Sequence, residues 1–139
     1  MIVGTFTALF NKSGELLIAR RAKNKKIAGG KWNLIGGKVE PSETPEEGAK
    51  REIEEESAIH VLKEVLYPLE VSLRDYEHTS FECHVFIAKT NDQEIMINEE
   101  HSEFLFISEK EIDNIEIAWF NKEEIESIFK KYKEIEIFI

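Results

Sequence analysis

The residues that could do chemistry crowd into one stretch, Gly36 to Ile59. Glu52, Glu55 and Glu56 stand at i, i+3 and i+4. On a helix turning about 100° per residue they share roughly a 100° arc of one face, with Glu54 pointing away. Three ionised carboxylates so close repel one another, and some would hold a proton at neutral pH unless a cation offset the charge. Mg²⁺ and Mn²⁺ take oxygen ligands in octahedral geometry, and Mg²⁺ shares its shell with waters and substrate phosphate. The helix therefore reads as half of a metal–phosphate site. Gly36-Gly37 lies just before it, where bare backbone can turn sharply and approach a ligand. A Glu-rich helix taken alone is more often a solvated face, so the spacing of the whole stretch has to carry the reading.

Several elements must position these groups. Thr44 suits an N-cap, Pro45 the first helical position, and Glu47 completes a Thr-x-x-Glu capping box, which predicts a helix to about Ser57. Glu46 and Glu47 also suit the positive end of its dipole. Upstream, residues 2–10 and 15–21 read as strands around an Asn11-Lys12-Ser13-Gly14 turn. Residues 23–31 form a polar loop, and 32–35 a short strand that runs into the glycines. Downstream, 59–76 reads as one or two strands broken near Pro68. Residues 79–89 alternate, with Phe81, Cys83, Val85 and Ile87 on one side and Glu82 and His84 on the other. Residues 91–103 read as a loop and 104–107 as a strand. Ser108-x-x-Glu111 opens a short helix, and Asn121-x-x-Glu124 opens a last one striped by Ile125, Ile128, Phe129 and Tyr132. The tail, 135–139, suits either an edge strand or a docked end. The expectation is one α+β domain over residues 1–139, an α/β/α sandwich with a mixed sheet.

From Gly37 the sequence runs through five residues to Glu43, then seven more to Arg51-Glu52-Ile53-x-Glu55-Glu56-x-Ala58-Ile59. This resembles the signature of the Nudix hydrolases, in their MutT-like branch. Ala58 departs from it, standing where the family has a helix-ending glycine, a change costing ~1 kcal/mol locally. Ile35 also replaces a proline common before the double glycine. Arg20-Arg21, Trp32 and the segment Glu99 to Phe104 extend the likeness beyond the box.

The resemblance implies that Glu52, Glu55 and Glu56, with the Gly36 carbonyl, hold Mg²⁺ or Mn²⁺. It also implies that Glu43 and Arg51 form an ion pair supporting the ligands beside Gly37. The base that activates water stays open among Glu52, Glu55, Glu56, Glu100 and Glu103. Arg20 and Arg21 are candidates to grip phosphate oxygens. Trp32, Tyr76, Trp119 and Phe120 are candidates to stack on a base, and Asn121 to read one, although an N-cap already explains Asn121. His60, His78, His84 and His101 show no zinc spacing. The implied activity is hydrolysis of a phosphoanhydride bond, in a nucleoside triphosphate (oxidised or not) or in a nucleotide sugar or similar diphosphate-linked nucleotide. A non-catalytic nucleotide-sensing module would be expected to lack the box carboxylates, and here all are present.

A net charge of −10 and the absence of a basic patch argue against a nucleic-acid partner. No apolar run approaches the ~20 residues of a membrane helix. Residues 1–5 show no secretion leader, and Cys83 is a lone cysteine. A cytoplasmic monomer or homodimer acting on a small nucleotide is the expectation.

Overall fold

The computed structural model describes residues 2–57, 59, 65–91 and 101–139, with the backbone alone at 76, 101 and 102. Its centre is a mixed sheet. Strand β1 (Ile2–Phe10) lies parallel to β6 (Thr79–Lys89) and antiparallel to β4 (Ile35–Lys38), and meets β2 (Leu16–Arg21) at Phe10–Leu16. Strand β2 is flanked by β3 (Trp32–Asn33) and β7 (His101–Ile107), and β5 (Tyr67–Tyr76) forms the edge beyond β6. Helix α1 spans Pro45–Ser57 and α2 spans Lys122–Ile135. Short 3₁₀ turns occupy Glu109–Asn114 and Glu136–Phe138.

Alternation along β1 sorts the two faces. Phe6, Ala8 and Phe10 join Ile125, Ile128, Phe129 and Tyr132 of α2 in one apolar cluster. Leu9, with Leu17 and Ala19 of β2, joins Ala49 and Ile53 of α1 in the other. Each helix thus covers one face, and the result is an α/β/α sandwich of the α+β class. Ile53 is fully buried, a burial that contributes about 1.5–3 kcal/mol to docking α1. No helix among the described residues is long and apolar enough to cross a membrane.

Several expected boundaries shift. The strand before the helix does not stop at the glycines but continues through them to Lys38, because Gly36 and Gly37 pair with Phe6 and Thr5. The expected loop 91–103 yields its last residues to β7, where His101 pairs with Arg21 across an irregularity in β2. Residue 135 ends α2, and the tail coils into a 3₁₀ turn instead of adding a strand. Ala58, His60, Glu99 and Glu100 lie outside the described residues.

Candidate active site

Helix α1 begins as its sequence dictates. The Thr44 hydroxyl accepts from the Glu47 N–H at 3.2 Å, and the Glu47 carboxylate accepts from the Thr44 N–H at 3.0 Å. This start aims Arg51 and Glu52 at β4. Arg51 is the hub of the site. Its Nε and Nη2 donate to the two oxygens of Glu43 at 2.7 and 2.9 Å, and Nη2 also donates to the Lys38 carbonyl at 2.9 Å. Its Nη1 donates to Glu52 at 2.8 Å and to Glu55 at 3.2 Å. All five guanidinium N–H groups are engaged. The expected Glu43–Arg51 pair is therefore a two-pronged one. Hydrogen bonding to Arg51 holds the Glu43 carboxyl below the usual range, and Glu43 in return raises the arginine's proton affinity.

The three box carboxylates sit in different settings. Glu56 is buried, at 3% exposure, and accepts a 3.3 Å hydrogen bond from the Gly36 N–H. Glu52 has a side chain only 12% exposed, whereas that of Glu55 is 59% exposed. Burial raises the Glu52 pKa. Arg51 works against that shift, Glu55 adds to it by repulsion, and Glu56 shares a hydrogen bond with Glu52. Two carboxylates that share a hydrogen bond must share a proton or a cation. Gly37 makes room for this pair, since a Cβ there would lie 2.5 Å from the Glu52 carboxyl carbon. At Gly36 a Cβ would strike the Thr5 carbonyl oxygen at 2.0 Å, so the double glycine is required by close approach on both faces. Opposite Gly37, Thr5 has a buried hydroxyl without a hydrogen-bond partner among the described residues.

Among the described residues no three acidic, histidine or cysteine side chains close into a ready cage. Glu55 and Glu52 accept from the same Arg51 nitrogen, and Glu55 is the exposed member of the three. Such an open oxygen-donor set suits Mg²⁺, which takes one or two carboxylates and completes its shell with water and phosphate.

Across β4, on the α2 face, a cavity of about 190 Å³ abuts Gly36, Gly37 and Lys38. Phe6, Phe81 and Trp119 supply aromatic wall, and Asn33, Arg21 and Ala28 line it too. The Trp119 ring centroid lies 4.6 Å from that of Phe81 and 6.0 Å from that of Phe6. Trp119 has φ 76°, a left-handed conformation costing about 1–2 kcal/mol in a non-glycine residue.

The other expected site residues are scattered. Arg21 reaches the cavity while its Nε holds the Ile27 carbonyl at 2.9 Å. Arg20 is spent on the Gly30 carbonyl and on Glu103, both at 3.0 Å, with Trp32 6.0 Å from its guanidinium. Trp32 packs against the core and bridges to Ile117. Phe120 is core. Asn121 caps α2 and borders a different hollow, beside Ile112 and Lys122. Phe6, Phe81 and Asn33 line the cavity although the sequence pattern does not single them out, because alternation marks a core-facing ring without saying whether the core stops short of it.

The NUDIX domain family matches this chain over residues 2–138. The chain belongs to that family. It is a Nudix pyrophosphohydrolase, and the α1 stretch is its Nudix box. It is 45% identical over 64 residues to an uncharacterized Nudix hydrolase of Pseudomonas aeruginosa, a match covering 44% of this chain and 38% of that protein, well under half of that relative's length. It is 28% identical over 113 residues to the nucleoside triphosphatase NudI of Escherichia fergusonii, covering 75% of this chain and 80% of that one. A MutT protein from Methanosarcina mazei superposes with a TM-score of 0.72 at 26% identity, over 96% of this chain and 93% of the other.

Proposed function

We propose that this Nudix enzyme hydrolyses a nucleoside triphosphate to a monophosphate and pyrophosphate, with Mg²⁺ or Mn²⁺ held by Glu52, Glu55, Glu56 and the Gly36 carbonyl. The supporting observation is the juxtaposition across β4: a buried carboxylate pair on one side of the double glycine and an aromatic cavity on the other. Bound there, the metal supplies charge neutralisation at phosphate oxygens and a lowered pKa for water. Arg51 keeps Glu52 turned toward β4. Arg21 and Lys38, the cations lining the cavity, attract the phosphate chain, while Phe81 and Trp119 take the base by stacking. The box carboxylates, Glu100 and Glu103, the last of which pairs with Arg20 at an exposed position, are the candidates to take the proton from water. The NudI likeness favours a triphosphate over a diphosphate-linked nucleotide.

Product analysis on a nucleotide panel with Mg²⁺ tests this reading. Release of pyrophosphate is expected, and release of two monophosphates from a linked nucleotide would point to the other substrate class. Glu55→Gln is expected to lower kcat by about 10²–10⁴-fold with an unchanged Tm, because this exposed side chain fills no core space. Near-full activity of Glu55→Gln at saturating Mg²⁺ would overturn the ligand assignment.

A further inference from the structure

The turn that carries Trp119 is held by the Trp32 carbonyl, which accepts from the Ala118 N–H at 2.9 Å, and by an arginine. Residues 117–120 form a tight turn, closed by the Phe120 N–H on the Ile117 carbonyl at 3.3 Å, with Trp119 at the position that glycine prefers. Arg74, on edge strand β5 directly opposite Phe81 of the cavity wall, reaches this turn from beneath. Its Nη1 donates to the Trp119 carbonyl at 2.8 Å, and its guanidinium carbon lies 4.3 Å from the centre of the Phe120 ring. Its Nη2 pairs with Glu124 at 2.7 Å and with Glu70. Glu124 is itself fixed, since its carboxylate accepts from the Asn121 N–H at 3.0 Å while its own N–H donates to the Asn121 side chain at 2.8 Å. One arginine thus binds residues 119, 120 and 124 at once. The carbonyl that Nη1 holds belongs to the same residue whose indole lines the cavity.

We propose that Arg74 is a positioning residue for the base site: anchored on Glu124, it holds the Trp119 carbonyl and so keeps the indole turned into the cavity. The inference rests on the reading that this cavity takes the base. It gives the capped start of α2 a part in substrate binding that does not require Asn121 to touch the nucleotide.

The test is a double-mutant cycle on nucleoside triphosphate hydrolysis, joined to a measurement that needs no activity. Arg74→Met is expected to raise KM about tenfold with kcat within about threefold of wild type. Trp119→Gly, which suits the left-handed backbone, is expected to raise KM similarly. The double variant should then add nothing, because both changes remove the same contact. Arg74→Lys, which keeps the charge facing Glu124, should give a smaller rise, and it carries the cycle if Arg74→Met does not fold. In a Trp32→Phe background, where Trp119 is the sole tryptophan, the Arg74 variants should shift its emission to the red without ligand. Unchanged KM, multiplying effects in the double variant, or unmoved emission would each overturn the proposal. A wild-type chain inactive on every nucleotide would instead remove the functional reading, and the emission shift alone would still decide whether Arg74 holds Trp119.

Discussion

Arg51 and Arg74 hold carboxylates on opposite faces of one sheet, and they do it differently. Arg51 has every N–H engaged and is 24% exposed in its side chain. Arg74 is only 8% exposed, and its buried Nε has no nitrogen or oxygen partner among the described residues. The first arrangement gathers acidic groups that would otherwise repel, so its benefit is local charge balance and ligand orientation. The second clamps a strained turn beside an aromatic cavity. One arginine orders the carboxylates, and the other orders the wall on which a base would stack.

Breaking the hub should cost activity and stability together. Arg51→Met is expected to lower kcat/KM by about 10–100-fold and stability by about 2 kcal/mol, read by steady-state kinetics and by thermal unfolding. An unaltered kcat/KM would mean that Arg51 is structural only.

The double glycine sharpens the contrast between the faces. Gly37→Ala meets the end of the Glu52 side chain, so it should displace that carboxylate and cut activity about tenfold or more while Tm holds. Gly36→Ala meets backbone, so it should cost about 1–3 kcal/mol of stability. A reversed outcome would show that the two glycines are wrongly assigned to the two faces.

Much of this was legible in the residues themselves. The box helix and its cap are local and depend on spacing, and the structure places them within a residue or two of expectation; the Glu43–Arg51 pair is implied by the family resemblance alone, and the structure forms it. The cavity depends on register, which no local pattern reports: Phe81 stands opposite Arg74 only because β5 pairs with β6 that way. Arg74 was hidden for a further reason. Strand β5 inverts the usual alternation, exposing Val71 and Leu73 and burying Arg74, so a polar residue in that strand reads as solvent-facing. Asn121 reads first as a cap and only second as a base reader, and the structure shows the cap, beside another hollow.

A smaller effect should follow pH. Burial works to raise the Glu124 pKa, but hydrogen bonds from Arg74 and the Asn121 backbone outweigh it, so the folded carboxyl titrates below its ordinary range. A depressed folded pKa gives stabilisation that is complete above the ordinary carboxylate range and is lost as pH falls through the lower folded value. The Tm gap between wild type and Glu124→Gln should be about 3 °C at pH 7, after allowance for solvent screening, and should close in acid. A gap that widened in acid would reverse the sign given to this pair.

Cation binding at the Nudix box can be read without turnover, by following free Mn²⁺ in electron paramagnetic resonance as the protein is added with a non-hydrolysable nucleotide. The wild-type chain should remove Mn²⁺ from solution. Glu52→Gln/Glu56→Gln, with the buried carboxylate pair neutralised, should leave it free at the same concentrations while its Tm shows an intact fold. Equal Mn²⁺ uptake by the folded double variant would contradict the assignment of these carboxylates to the metal.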